Sequence, residues 1–147
     1  MQRFKINKDL IIKFKLSKNV FNPTITSNIL VESCINKIKK PSKILDLGCG
    51  SGIIGISLFY AGKAREPLYF SDISQRSVNN VKYNIKYHKI ESVIKKGSLF
   101  SPWIKTKFDI IINDVAAISQ IVAIKSKWYK NISCISGNDG TKLVNKI

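Results

Sequence analysis

The chain is poor in the residues that build covalently or metal-held folds. It has three cysteines, Cys34, Cys49 and Cys134, an odd number with no CxxC spacing, and a single histidine, His88. A disulfide framework and a zinc site are therefore not expected, and no metal site is predicted. Acidic residues are also scarce, nine against 25 lysines and arginines, for a net charge of +16. Arginine is scarcer still, at Arg3, Arg65 and Arg76 only. Arginine is the preferred bidentate contact to phosphates and bases. The chain is also rich in Ile and Asn, whose codons share the A/T bias of lysine codons. The charge is thus supporting evidence for a nucleic-acid partner and no more. No apolar run approaches the roughly 18 residues of a membrane span. The lysine-rich segment after Met1 contains no apolar signal core. Together these predict a cytoplasmic protein with no membrane partner.

What is present reads as one globular α/β domain: 147 residues, 44% of them hydrophobic. Phe4, Ile6, Leu10, Ile12, Phe14 and Leu16 alternate with lysines, which predicts a β-hairpin turning near Asn7-Lys8-Asp9. A helix is expected over 26–39, capped by Thr26 or Ser27, with Ile29, Leu30, Cys34, Ile35 and Ile38 as its apolar stripe, and Pro41 after it. Strands follow at 43–47, 68–73, 93–96 and 108–113, the last an unbroken apolar run expected to be a buried parallel strand. Helices are expected at 53–61, 75–88, 117–125 and from 141 onward. Alternating strands and helices make a parallel, doubly wound sheet. Residues 1–24 form the hairpin and the segment leading into the first helix, and 25–147 form the domain proper.

In such sheets ligands bind beyond the carboxyl ends of the strands, where strand order reverses. Gly48-Cys49-Gly50-Ser51-Gly52 lies there, directly after an apolar strand. Two ligand classes compete for it. Gly50, Gly52 and Gly55 spell the dinucleotide fingerprint, with Asp72 about twenty residues on. Against this, Asp46 sits on the strand just before the glycines. A carboxylate there repels a pyrophosphate and favours an amino or sulfonium cation.

Ile44-Leu45-Asp46-Leu47-Gly48-Cys49-Gly50-Ser51-Gly52 resembles motif I of class I S-adenosylmethionine-dependent methyltransferases. Ser71-Asp72-Ile73-Ser74, Gly97-Ser98-Leu99-Phe100 and Phe108-Asp109-Ile110-Ile111-Ile112-Asn113 resemble later motifs in the family's order. Phe21-Asn22-Pro23-Thr24 and Gly137-Asn138-Asp139-Gly140-Thr141 are similar to segments of its protein-glutamine and nucleic-acid N-methyltransferase branch, the methyltransferase small domain. The resemblance implies a Rossmann-like class I methyltransferase sheet, with about four of the seven core strands present and the chain ending within the domain. It implies an S-adenosyl-L-methionine cofactor held by Asp46, Gly48, Cys49, Gly50, Gly52, Asp72, Ser98, Leu99 and Asn113. Asp72 would take the ribose hydroxyls, and Ser98 and Leu99 would flank the adenine. Asn113 and Asp114 would face the methyl acceptor, a protein, nucleic acid or small molecule. The branch carries Asn-Pro-Pro-Tyr where this chain has Asn113-Asp114-Val115-Ala116, so Asp114 offers a carboxylate to an acceptor amine or hydroxyl. The open edge of the fourth strand calls for an oligomer or a partner to cover it. Two other readings stay open on sequence: a non-catalytic nucleic-acid-binding remnant of the fold, and a dinucleotide-dependent oxidoreductase.

His88 near a helix end is expected in a surface role or one that answers the helix dipole, rather than in catalysis. Cys49 is expected as a small spacer. Trp103 and Trp128 are expected as packing or rim aromatics, Lys95 and Lys96 as solvated side chains, and Asp109 as a turn or edge residue.

Overall fold

The computed structural model describes residues 1–115, 117–126, 132 and 134–147. The chain divides into two compact units, Met1–Asp114 and Val115–Ile147.

In the first unit, β1 (Gln2–Lys5) and β2 (Ile11–Phe14) pair antiparallel, with Phe4 opposite Ile12. The turn falls where the sequence places it. Asn7 Oδ1 accepts the N–H groups of Asp9 and Leu10, each at 2.9 Å, which closes the loop in the manner of an Asx turn. The even-numbered Phe4, Ile6, Ile12 and Phe14 are buried in the main core.

Helix α1 (Ile25–Lys37) starts one residue earlier than expected, because Thr24 rather than Thr26 is its cap, with Ser27 completing a capping box. Its stripe is corrected as well. Val31 is buried, whereas Ile29 is 59% exposed. The central sheet contains β3 (Ile44–Leu47), β4 (Leu68–Asp72), β5 (Ser92–Lys96) and β6 (Ile110–Asn113), in the order β5-β4-β3-β6 and all parallel. The chain moves outward from β3 to β5 and returns to the other side of β3, so the reversal point lies beside β3. β6 is parallel as expected but not buried on both faces: Ile112 points into the core and Ile111 is 46% exposed.

Ile44, Phe70 and Ile112 on one sheet face share a core with α1, with α2 (Ile53–Tyr60), with α3 (Gln75–His88) and with the hairpin. Leu45 and Leu47 face the other way and pack with Trp103, Tyr69, Val93, Leu99, Phe100 and Phe108. Trp103 is therefore a packing residue, as expected, while Trp128 lies outside the described residues. Lys95 is not simply solvated: its Nζ donates to the Pro102 carbonyl at 3.0 Å and lies 4.4 Å from the Trp103 ring centroid. Asp109 pins the start of β6, accepting the Lys43 N–H at 2.8 Å and pairing with Arg65 at 3.5 Å.

In the second unit, α4 (Gln120–Lys125) is shorter than expected because Ser119 caps it, its side chain accepting the Val122 N–H. The turn at 137–140 is present, but the helix expected after 141 is a turn followed by one 3-10 turn, Val144–Lys146. Among the described residues no helix is long and apolar enough to cross a membrane.

Candidate functional site

The sheet register brings the candidate residues to one edge. Leu47 lies opposite both Ser71 and Asn113, and Asp72 lies opposite Lys96. The next residues along the chain, Gly48, Asp114 and Gly97, leave the sheet together at its carboxyl end, beside Asp72.

The glycine loop is fixed by hydrogen bonds to neighbouring elements. The N–H groups of Gly48 and Cys49 both donate to the Ser71 carbonyl, at 2.8 and 3.0 Å. Gly50 donates its N–H to Asp72 Oδ2 at 2.9 Å, and Asp72 Oδ1 accepts the Ser74 N–H at 2.8 Å. Gly50 has φ +52°, and a Cβ placed there would meet nothing within 4 Å, so the backbone borders open space. Gly52, at φ +78°, caps α2 and packs on Val81. Cys49 is buried, consistent with a spacer.

Asp46 lies beneath this loop, 2% exposed, with Oδ2 accepting the Gly55 N–H at 2.9 Å. Gly55 permits that approach: a Cβ there would stand 3.2 Å from Asp46 Oδ2 and 2.6 Å from Phe70. Burial pushes the Asp46 carboxyl up to about 8; the Gly55 N–H opposes this, and the charges of Asp114 and Asp72 add to it. Asp72 is raised for the same leading reason, burial, against the N–H groups of Ser74 and Gly50, the Ser77 hydroxyl and the Ile73 N–H. Among the described residues no cation pairs with Asp46.

Asp114 is half-buried and accepts the Ser27 hydroxyl at Oδ2, 2.9 Å, while Ser27 Oγ accepts the Thr24 N–H at 3.4 Å. Asn113 is exposed at the end of β6, and Ala116 of the same stretch lies outside the described residues. Ser98 is exposed in the loop after β5, and Leu99, at φ +46°, is half-buried against the Leu45–Leu47–Trp103 cluster.

Three residues that shape this site were not singled out for it on sequence. Ser27 orients Asp114. Asn84, fully buried, donates to the Ser51 carbonyl at 2.8 Å and to the Lys15 carbonyl at 3.0 Å, and accepts the Lys15 N–H at 2.7 Å. Asn80 grips the same segment through the Ser17 N–H and the Lys15 carbonyl. The available signal was two asparagines four apart within the apolar stripe of Val78, Val81 and Ile85, where an unpartnered amide would be costly. His88 has a further role at the helix end. It is a tie between elements, with Nε2 2.8 Å from the Lys13 carbonyl and Nδ1 3.0 Å from the Tyr60 hydroxyl.

This chemistry argues against the dinucleotide reading. A pyrophosphate needs the free N–H groups of the glycine turn. Here Gly50 and Gly55 already donate to the carboxyl groups of Asp72 and Asp46, so neither N–H is left for a phosphate. The same residues fit S-adenosylmethionine: a buried acid for a cation, a second acid beside the loop for a diol, and a glycine edge open to close approach.

A family model of the methyltransferase small domain matches residues 12–114. The release factor glutamine methyltransferase of Borreliella burgdorferi is 34% identical over 143 residues, covering 92% of this chain and 49% of that protein. The same-named enzyme of Clostridium botulinum is 34% identical over 117 residues, covering 76% and 41%. The chain spans about half the length of the curated relatives it matches. Among solved structures, the T. thermophilus 16S rRNA methyltransferase in complex with AdoMet and guanosine aligns with a TM-score of 0.65 at 16% identity, over 89% of this chain and 39% of that one. A ribosomal protein L11 methylase from Lactobacillus delbrueckii subsp. bulgaricus aligns at 0.60 and 20% identity, over 76% and 65%. These two likenesses concern the fold, a Rossmann-like methyltransferase sheet. With a family model covering most of the sequence and the glycine loop, Asp46 and Asp72 inside the match, the chain belongs to the methyltransferase small domain family.

Proposed function

We propose that this chain binds S-adenosylmethionine at the carboxyl edge of its sheet and provides the cofactor-binding part of a methyltransferase acting on a protein or nucleic-acid acceptor. The observation that carries this reading is Asp46, a carboxylate buried at the base of an open glycine loop with no cation paired to it among the described residues. When bound, the cofactor supplies an electrophilic methyl carbon on a positively charged sulfur.

In its ionised form Asp46 favours the positive end of the cofactor by proximity and low local dielectric, and the cation in turn favours that form. Asp72, at the edge of the open glycine loop, takes the ribose hydroxyls, each charge-assisted bond contributing about 1.5–3 kcal/mol. Gly48, Cys49, Gly50 and Gly52 let the backbone approach, and Ser98 and Leu99 border the adenine side. Asn113 and Asp114 face the acceptor. Asp114, with Oδ2 engaged by Ser27, offers Oδ1 to an acceptor amine or hydroxyl, orienting its lone pair toward the methyl carbon. Relatives named for release factor glutamine, ribosomal protein L11 and small-subunit ribosomal RNA support an acceptor from the translation machinery.

Titration calorimetry tests this directly. S-adenosylmethionine is expected to bind and NAD not to, and Asp72→Ala is expected to weaken S-adenosylmethionine binding at least tenfold, about 1.4 kcal/mol. Unchanged affinity in that variant would remove Asp72 from the site, and tighter binding of NAD would reverse the assignment.

A further inference from the structure

The outward face of the N-terminal hairpin is basic. With Phe4, Ile12 and Phe14 buried, the exposed residues of the two strands are Gln2, Arg3, Lys5, Ile11 and Lys13, and exposed Lys15 follows β2 directly. Arg3 lies directly opposite Lys13 across the pair. Like charges directly opposite in an antiparallel pair destabilise it. Codon bias toward lysine does not explain this pairing, because Arg3 is one of only three arginines in the chain.

The basic strands continue into an aromatic surface on α3. Asn80, Asn84 and His88, on successive turns of α3, bond the main chain of Lys13, Lys15 and Ser17. This seam brings Lys15 Nζ to 4.4 Å from the centroid of Tyr83. Tyr83 and Tyr87 are each about half exposed, at 47% and 48%, and Lys82, Lys86 and Lys89 are exposed beside them. A groove of about 340 Å³ is lined by Leu10, Ile11, Lys13, Tyr60, Tyr87 and His88, with Asp9 the one carboxylate among the described residues that line it. Cations that track a phosphate backbone, interleaved with rings that bases can stack on, are what single-stranded nucleic acid requires. A lipid surface would use the lysines, but the exposed apolar contribution from the strands is Ile11 alone.

We propose that the hairpin–α3 face is a docking surface for single-stranded nucleic acid, with Arg3, Lys13 and Lys15 on the phosphates and Tyr87 and Tyr60 stacking bases at the groove. This surface is distinct from the glycine-loop crevice, and S-adenosylmethionine titration of the same preparations reports on that crevice separately.

Fluorescence anisotropy with labelled oligouridylate and oligodeoxythymidylate across a salt series tests it. Binding of either probe is expected, with log affinity falling against log salt at a slope of roughly −0.7 per phosphate contacted. Arg3→Glu with Lys13→Glu is expected to weaken binding at least tenfold. Lys105→Glu with Lys107→Glu changes net charge equally and is expected to weaken it less than about threefold, because distant exposed charges are screened. Arg3→Glu alone removes the like-charge pair, so Tm is expected to rise while affinity falls, a divergence that a purely structural role for Arg3 would not produce. Tyr87→Ala is expected to weaken binding about 5–100-fold with the salt slope unchanged. The proposal is overturned if neither probe binds, or if the two charge-reversal pairs lose affinity equally. It is also overturned if phosphatidylserine vesicles bind more tightly than the oligonucleotides and Tyr87→Ala has no effect on either.

Discussion

Gly52→Ala is expected to destabilise the Met1–Asp114 unit by about 2–5 kcal/mol, seen as a lower urea midpoint at unchanged slope. Two costs combine. At φ +78° an L side chain is strained by about 1–2 kcal/mol. The new methyl group would also clash with Val81 Cγ2 and stand 3.5 Å from Phe70 Cε1, both on fully buried residues with no room to retreat. Overpacking of that kind costs about 1–3 kcal/mol. Gly50→Ala is the informative contrast. Its φ of +52° carries similar strain, but its Cβ would meet nothing within 4 Å. The stability cost is therefore expected to stay near 1–2 kcal/mol, while the methyl group enters the space assigned to the cofactor and lowers S-adenosylmethionine affinity at least tenfold. Equal destabilisation by the two substitutions would mean that the packing of Gly52 on α3 is not what fixes the loop.

This contrast also shows what was legible in the sequence. Local patterns sufficed for the glycine turn, the hairpin turn and the bounds of α3, because a left-handed glycine, an Asx turn and a helical stripe are each properties of a few consecutive residues. Contacts between distant residues were not legible. Ser27 and Asp114 are 87 positions apart, and Asn84 and Lys15 are 69 apart, so neither pair leaves a periodic trace. The α1 stripe was misread at Ile29 and Val31 because periodicity alone fixes a face only to within about one position on a helix where nearly every second residue is apolar. β6 reads as a fully buried strand because Ile110, Ile111 and Ile112 are identical in kind, and only its place at the edge of the described sheet leaves Ile111 exposed. The helix expected after residue 141 gives way to a turn in which Asp139 Oδ1 accepts both the N–H and the hydroxyl of Thr141, an Asx contact that competes with helix formation.

The second large effect concerns pH, and it links stability to the site. The folded pKa of Asp46 is pushed up to about 8 from an ordinary 3.8. Below the ordinary value the carboxyl is protonated both folded and unfolded, and its contribution to stability is fully present. Between the two values the folded chain holds a proton that the unfolded chain has released, so stability falls by about 1.4 kcal/mol per pH unit. Above about 8 both states are ionised and the loss, on the order of 5 kcal/mol, is complete. Asp72, also raised, acts in the same direction. Urea unfolding across this range is therefore expected to show a protein more stable at pH 5 than at pH 8. Asp46→Asn retains an oxygen to accept the Gly55 N–H and is expected to remove most of that slope, making the variant the more stable of the two at pH 8. The cofactor is expected to respond with the opposite sign. A cation beside Asp46 favours the ionised carboxylate, so S-adenosylmethionine affinity rises with pH up to about 8, by as much as tenfold per unit, and Asp46→Asn binds it weakly at every pH. A flat affinity profile alongside a steep stability profile would place the cation elsewhere and leave Asp46 as a buried acid that serves the fold. If the two profiles slope in opposite directions and Asp46→Asn flattens both, the strain of burying one carboxylate is what the cofactor's positive charge relieves.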